Sequence, residues 1–194
     1  MIHIAIDMDD VLVDFVGGLV TAVATEYDVH ITREQLEECG WDLYPLLDPI
    51  IGRSWWSWLR DREWLWASFP AVPGAIGGIE TLRQQGHYLE LVTSKPEWAE
   101  HNVWKWLGKW RPAFNQVTIV GPDENKAIHT FADILIDDKP ENCLNFIETK
   151  RDAILFAAPH NAHYTHDRRD PLQFMQRAPN WPSIIPLIGE HNGR

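Results

Sequence analysis

The sequence predicts an α/β fold: a doubly wound, Rossmann-like parallel sheet of five strands, with a small, mainly helical cap inserted after the first βα unit. Three observations carry that expectation. Short β-branched runs alternate with helix-length segments, which implies parallel strands joined by helical crossovers. The one break in the alternation, residues 28–72, has no strand-like pattern and reads as helical pieces interrupted by Gly40, Pro45, Pro49, Gly52 and Pro70. Carboxylate, hydroxyl and lysine side chains also recur just after successive strands, at the sheet edge where open α/β folds bind ligands.

The elements follow in order. Ile2-His3-Ile4-Ala5-Ile6 is a short β-branched run that ends where Asp7 begins, so residues 2–7 form the first strand. A helix is expected from about Asp14 to Tyr27. Val72-Pro73-Gly74 opens a second helix that reaches Gln85, with Pro at its start and Gly86 at its end. His87–Val92 is a strand, Pro96–Gly108 a helix and Gln116–Val120 a strand. A helical turn or two spans Asn125–Phe131, followed by a strand at Asp133–Ile136, a helix at Glu141–Thr149 and a strand at Ala153–Ala157. Residues 1–27 and 73–160 thus make the catalytic core, and residues 28–72 the cap over the strand ends. Residues 161–194, rich in Pro, Arg, His and Asn, are expected to be an irregular tail packed on the core.

Composition narrows the function classes. The 194 residues suffice for one full core plus a small lobe, and 45% hydrophobic content is ordinary for a globular protein. Apolar runs fall far short of a membrane span and no secretory segment is visible, so the cytoplasm is the expected compartment, with no membrane partner. Cys39 and Cys143 are isolated and read as reduced packing thiols. Lys plus Arg number 17 against 28 Asp plus Glu, a net charge of −11, which argues against a polymeric nucleic acid because backbone affinity needs many basic contacts. A small phosphate ester is still accessible if a metal and local lysines neutralise it.

Tryptophan is in excess: 11 residues, five of them between Trp55 and Trp66. Trp55, Trp58, Leu59 and Trp66 fall on one helical face while Trp56 points elsewhere. Cap packing, base stacking and a homodimer surface are three uses for such rings, and packing has the most weight. Val103, Trp106, Leu107 and Trp110 follow core spacing. His160, His163 and His166 recur every third residue, without the cysteines or helical i, i+4 geometry of a closed zinc site. Hydrogen-bonded anchoring of the tail is the favoured role.

Four clusters carry the chemistry. Asp7-Met8-Asp9-Asp10 follows the first strand, and Thr93-Ser94-Lys95-Pro96 follows the second. Lys126 follows the third, and Asp137-Asp138-Lys139-Pro140 ends the fourth. Each alone has an ordinary explanation as a helix cap, a surface lysine or a turn. Together they share one sheet edge. Crowded carboxylates repel unless a cation is shared between them, and an all-oxygen set suits the hard cation Mg²⁺. Hydroxyls at a helix start and a lysine can hold phosphate.

This order of motifs resembles the haloacid dehalogenase-like hydrolase superfamily over roughly the first 160 residues. The resemblance implies a phosphatase working through an aspartyl-phosphate, with Asp7 as nucleophile and Asp9 as general acid, then base. Thr93, Ser94 and Lys126 would hold the phosphoryl oxygens. Asp7, the Asp9 carbonyl and Asp137 would hold Mg²⁺, with Asp138 acting directly or through water. The family usually has Gly where this chain has Asp10, a residue that tolerates the left-handed backbone better than most.

Asp7-Met8-Asp9-Asp10-Val11-Leu12-Val13-Asp14-Phe15, Phe69-Pro70-Ala71-Val72-Pro73-Gly74, Leu135-Ile136-Asp137-Asp138-Lys139-Pro140 and Leu155-Phe156-Ala157-Ala158-Pro159-His160-Asn161 further resemble the 5′(3′)-deoxyribonucleotidases. That narrower likeness implies a nucleoside monophosphate substrate, with Phe15 and Trp64 or Trp66 enclosing the base. The family's basic residue before the motif lysine is absent, since Asp123 and Glu124 stand there. The expected activity is therefore a Mg²⁺-dependent 5′-nucleotidase. The alternatives are a phosphatase of another small ester, such as a sugar phosphate, or a non-catalytic binding module built on the Trp-rich cap.

Overall fold

The computed structural model describes residues 1–40, 42–164 and 175–191. Among these, six parallel strands form one sheet: β1 (His3–Ile6), β2 (Tyr88–Ser94), β3 (Gln116–Val120), β4 (Ile134–Asp137), β5 (Asp152–Phe156) and β6 (Met175–Ala178). Their spatial order is β3-β2-β1-β4-β5-β6. Ile4, Ala5, Ile6, Leu135 and Ile136 are fully buried, so the two central strands are covered on both faces, as continuous apolar runs require. The chain leaves β1 toward β2 on one side and β4 on the other, which opens a crevice at the carboxyl end of β1.

The sixth strand corrects the expected count of five, and with it the expectation of an irregular tail. Met175-Gln176-Arg177-Ala178 pairs only with β5, in register Ala153 to Met175 through Phe156 to Ala178. An edge strand with polar side chains shows no apolar run to read in the sequence. The helix after it, α9 (Trp181–His191), contains Pro182 and Pro186, which break the helical signal, yet it buries Trp181, Ile184 and Ile188.

Helix α1 (Phe15–Tyr27) begins where predicted: Asp14 caps it by accepting from the Gly17 N–H at 3.2 Å. Four short helices follow, α2 (Arg33–Cys39), α3 (Tyr44–Ile51), α4 (Trp55–Arg60) and α5 (Trp64–Ser68). Thr32 and Gln35 close a capping box on α2, and Gly52, at φ 76°, ends α3. Leu47, Ile51, Trp58, Leu59 and Trp66 join the same apolar cluster as the sheet. Trp55, Trp58 and Leu59 do share the buried face of α4. Trp66 sits instead on α5, because the chain turns between Arg60 and Trp64.

The remaining helices are α6 (Ala75–Gln84), α7 (Glu100–Trp110) and α8 (Pro140–Glu148), with a 3₁₀ turn, Glu97–Ala99, leading into α7. Val103 and Trp106 are buried as their spacing predicts, with Leu107 and Trp110 partly buried beside them. The Trp106 indole N–H donates to the Phe69 carbonyl at 3.1 Å, joining α7 to the end of α5. Cys39 and Cys143 are free thiols. No helix among the described residues is long and apolar enough to cross a membrane.

Candidate active site

Strand hydrogen bonding continues one residue past β1, where the Asp7 N–H donates to the Ile136 carbonyl at 2.9 Å. The chain then turns tightly: the Met8 carbonyl accepts from the N–H groups of Leu12 and Val13, both at 2.8 Å. Asp10 occupies the turn with φ 53°, the left-handed conformation for which glycine is the usual solution. Its carboxylate accepts from the Val16 N–H at 2.9 Å, so the side chain helps hold the start of α1. The departure from glycine is therefore accommodated, and it adds a buried acid to the site.

Lys126 is the electrostatic centre. Its Nζ stands 2.7 Å from Oδ1 of Asp7 and 2.8 Å from Oδ2 of Asp137. A 3₁₀ turn, Lys126–Ile128, presents it, capped by Asn125, whose side chain accepts from the Ala127 N–H. Burial alone would push this ammonium's pKa down, but the charges of Asp137 and Asp7 outweigh it and hold it above the usual lysine range. Asp137 also accepts from the Lys139 N–H at 2.8 Å and from Asn142 Nδ2 at 3.1 Å. Its complete burial nevertheless pushes its pKa up to about 7, against the opposing pull of Lys126.

Asp138 points to a second partner from the far end of β5. Its Oδ2 lies 2.6 Å from Nε2 of His160, and its carbonyl accepts from Asn161 Nδ2 at 2.7 Å. Among the described residues its Oδ1 is buried with no hydrogen-bond partner, a costly state for a carboxylate oxygen. Burial pushes the Asp138 carboxyl up and the Asp10 carboxyl well up, with His160 opposing the effect at Asp138 and the Asp138 charge adding to it at Asp10.

This charge balance fits a divalent cation. Oxygens of Asp7, Asp137 and Asp138 lie within 4.8 Å of one another, and atoms of Asp10, Asp138 and His160 do likewise. Four buried carboxyls face one lysine and one histidine, and an orphaned carboxylate oxygen lies among them. A hard cation would relieve both the repulsion and the unmet valence.

Asp9, half-buried, differs from its neighbours. Trp66 donates its indole N–H to Oδ1 at 2.9 Å, while the Lys95 ammonium makes a short ion pair with Oδ2. Thr93, almost fully buried, and Ser94, half-buried, end β2 in register with Ile119 and Val120. Asp7, Asp9, Thr93, Ser94 and Lys126 all border one cavity of about 550 Å³.

Aromatic rings line the same cavity: Phe15, Tyr44, Trp55, Trp56 and Trp66. Phe15 and Trp66 meet with ring centroids 4.8 Å apart. Asp123 and Glu124 border the cavity where the resemblance led one to look for a basic residue. Of the two tryptophans expected at the base, Trp64 is 61% exposed and borders a separate groove along α1. On a five-residue helix only one of two tryptophans two positions apart can face inward, and that one is Trp66.

The structure thus gathers Asp7, Asp9, Phe15, Trp66, Thr93, Ser94, Lys126 and Asp138 at one cavity, with Asp137 directly behind Lys126. Sequence reasoning missed Lys95 and Asn142, and missed His160 as a partner of Asp138. Lys95 adjoins Thr93-Ser94 and Asn142 follows the Asp-Asp motif closely, so proximity was the available signal. His160 gave only its place after β5. His163 is exposed, and His166 lies outside the described residues.

Comparison with known proteins agrees with this geometry. Residues 1–188 match the family model described as "5' nucleotidase, deoxy (Pyrimidine), cytosolic type C protein". Over 172 residues, 83% of this chain and 86% of the relative, the sequence is 26% identical to a Staphylococcus epidermidis protein named "Putative 5'(3')-deoxyribonucleotidase". Among solved structures, the L-2-haloacid dehalogenase of Xanthobacter autotrophicus superposes with a TM-score of 0.64 at 13% identity, covering 97% of this chain and 99% of that one. A haloacid dehalogenase-like family hydrolase of Streptococcus pneumoniae gives 0.57 at 16% identity, over 97% and 98%. At these identities the structural matches establish the shared fold.

Proposed function

From the premise that the chain belongs to the cytosolic type C 5′-nucleotidase family of haloacid dehalogenase-like phosphoric monoester hydrolases, we propose a Mg²⁺-dependent phosphatase that hydrolyses deoxynucleoside monophosphates through an aspartyl-phosphate. The observation that carries this reading is one cavity shared by Asp7, Lys126 and an aromatic wall. A phosphate at the charged end and a flat base at the aromatic end satisfy both halves of it.

A carboxylate oxygen of Asp7 forms a bond to phosphorus as the ester oxygen departs, and Asp9 gives that oxygen a proton. Asp9 then takes a proton from water as the water oxygen bonds to phosphorus. The Asp7 ester breaks and inorganic phosphate leaves. Lys126 spends two of its three N–H donors on Asp7 and Asp137, which leaves the third for a phosphoryl oxygen. The Thr93 hydroxyl, with Ser94 beside it, supplies a further donor. Phe15 and Trp66 would flank the base.

Asp7, the Asp9 carbonyl, Asp137 and Asp138 would hold Mg²⁺. The ion would screen the repulsion between the anionic nucleophile and the anionic substrate. His160 and Asn161 hold Asp138 by its Oδ2 and its carbonyl, which would leave Oδ1 for the ion. The net charge of −11 and the cavity size favour a small substrate over a polymeric nucleic acid, and the cytoplasm is the proposed compartment. The helices of residues 28–72 would act as the cap over the core of residues 1–27 and 73–160.

A phosphate-release screen with Mg²⁺, across nucleoside monophosphates and sugar phosphates, tests the reading. Turnover of dUMP or dTMP above that of the sugar phosphates is expected. Release from sugar phosphates alone would reassign the substrate, and no release from any ester would refute the proposal.

A further inference from the structure

Both side-chain oxygens of Asp9 are engaged, and by groups from two separate parts of the chain. Trp66 lies 57 residues on in sequence and donates to Oδ1 at 2.9 Å. Lys95 lies 86 residues on and pairs with Oδ2. The two partners also touch each other, since the Lys95 Nζ lies 4.5 Å from the centre of the Trp66 ring. The group is a closed triangle.

Each corner is fixed from behind. The Lys95 backbone N–H donates to the Val120 carbonyl at 2.9 Å, which ties that residue to the sheet, and its side chain is buried. Trp66 packs against Phe15 at 4.8 Å, Trp98 at 5.8 Å and Trp56 at 6.0 Å. Asp9 itself borders the cavity. A carboxylate otherwise free to rotate about two bonds is therefore held in one orientation at the cavity wall. Two donors occupy two of about four acceptor sites on the carboxylate, so the rest stay available for exchange of a proton.

We propose that Trp66 and Lys95 are positioning residues which clamp the Asp9 carboxylate for proton transfer, making its orientation depend on the helix that carries Trp66. The inference rests on the phosphatase reading above and goes beyond it, because the motifs assign no role to either side chain. General acid catalysis loses its effect when the donor is misplaced, and it matters only when the departing oxygen needs a proton. Clamp damage should therefore depend on the leaving group, whereas damage to phosphate or metal binding should not.

The test compares kcat/KM for phenyl phosphate and p-nitrophenyl phosphate in wild type, Lys95→Met and Trp66→Phe. These esters share charge and ring, carry no nucleobase, and differ by one nitro group, which sets how much the departing oxygen needs protonation. In Lys95→Met the ratio of p-nitrophenyl to phenyl turnover should rise on the order of tenfold, a fraction of the full value of a general acid. Trp66→Phe, which keeps the ring and removes only the N–H, should raise it less. Melting curves identify a variant that fails to fold, and the other variant then decides. Parallel loss on both esters, or an unchanged ratio in an active wild-type background, overturns the clamp alone. A wild type silent on both esters and on every nucleoside monophosphate overturns the phosphatase reading and the clamp with it; where nucleotides alone turn over, the ratio is read between a nucleotide and its 5′-thio analogue, whose departing sulfur has little need of a proton.

Discussion

The indole N–H of Trp181 donates to the carbonyl oxygen of Val11 at 2.7 Å, across 170 residues of chain. Val11 lies in the turn that follows Asp7 and Asp9, and Trp181 opens the last helix with no exposed surface. Helix α9 therefore braces the loop that follows Asp7, the proposed nucleophile. Gly78 on α6 makes room for the brace: a Cβ there would lie 2.2 Å from Cε3 of Trp181.

Gly78→Ala should accordingly force the indole to shift. Overpacking of this kind costs about 1–3 kcal/mol. A lowered Tm is expected, together with reduced phosphate release as the Val11 turn moves. Unaltered melting and turnover would show that α9 does not support the loop.

Asp7→Asn removes the attacking carboxylate, and phosphate release should vanish. Asp9→Asn should slow release by about 10²–10⁴-fold, the usual range for a general acid–base. Titration calorimetry with Mg²⁺ should show binding retained in Asp9→Asn, because the proposed ligand there is the backbone carbonyl. Normal turnover in Asp7→Asn would refute the nucleophile.

Lys126→Met leaves Asp7 and Asp137 buried without their shared counter-charge. Breaking a buried pair in this way costs about 3–5 kcal/mol. Denaturant unfolding should show a loss of that order without divalent cation and a smaller one with saturating Mg²⁺. A loss that Mg²⁺ does not reduce would contradict the placement of the ion beside these carboxylates.

Burial holds the Asp137 carboxyl up at about 7, and raises Asp10 and Asp138 as well. A carboxyl with a folded-state pKa above its unfolded value takes up protons on folding between the two. This contribution to stability is complete below the unfolded value of about 4 and is lost as pH rises toward 7. Above pH 7 the ionised carboxylates repel one another, and there a cation binds best. Thermal shifts on adding Mg²⁺ should therefore be larger at pH 8 than at pH 5. Equal shifts at the two values would argue against a carboxylate site.

Phe15 and Trp64 provide a paired test of the aromatic wall. Stacking on a base is worth about 1–3 kcal/mol by alanine substitution, so Phe15→Ala should raise KM for a deoxynucleotide by roughly 5- to 150-fold. Trp64→Ala, off the cavity, should leave KM within about twofold of wild type. A large Trp64 effect would reopen the assignment of the ring at the base site.

Strand and helix periodicity placed β1 through β5, α1, α6, α7 and α8 to within a few residues, because each buries a regular apolar face whose repeat is local. The order of Asp7, Asp9, Thr93, Lys126 and Asp137 was legible for a related reason. All lie at or just past the carboxyl ends of strands, and parallel strands deliver those ends to one edge. β6 and α9 were not legible, since an edge strand with one partner and a helix interrupted by proline carry little local signal.

The parallel sheet and the gathering of the acids, hydroxyls and lysine at one of its edges are thus what the sequence by itself determined, through motif order. The partners of each acid were decided only in three dimensions. Nothing along the chain distinguishes Trp66 from Trp64, joins Lys95 to Asp9, sets His160 against Asp138, or seats Trp181 over Val11. Those choices depend on how short helices and the C-terminal segment pack, and packing is a property of side chains brought together from distant positions rather than of neighbours in sequence.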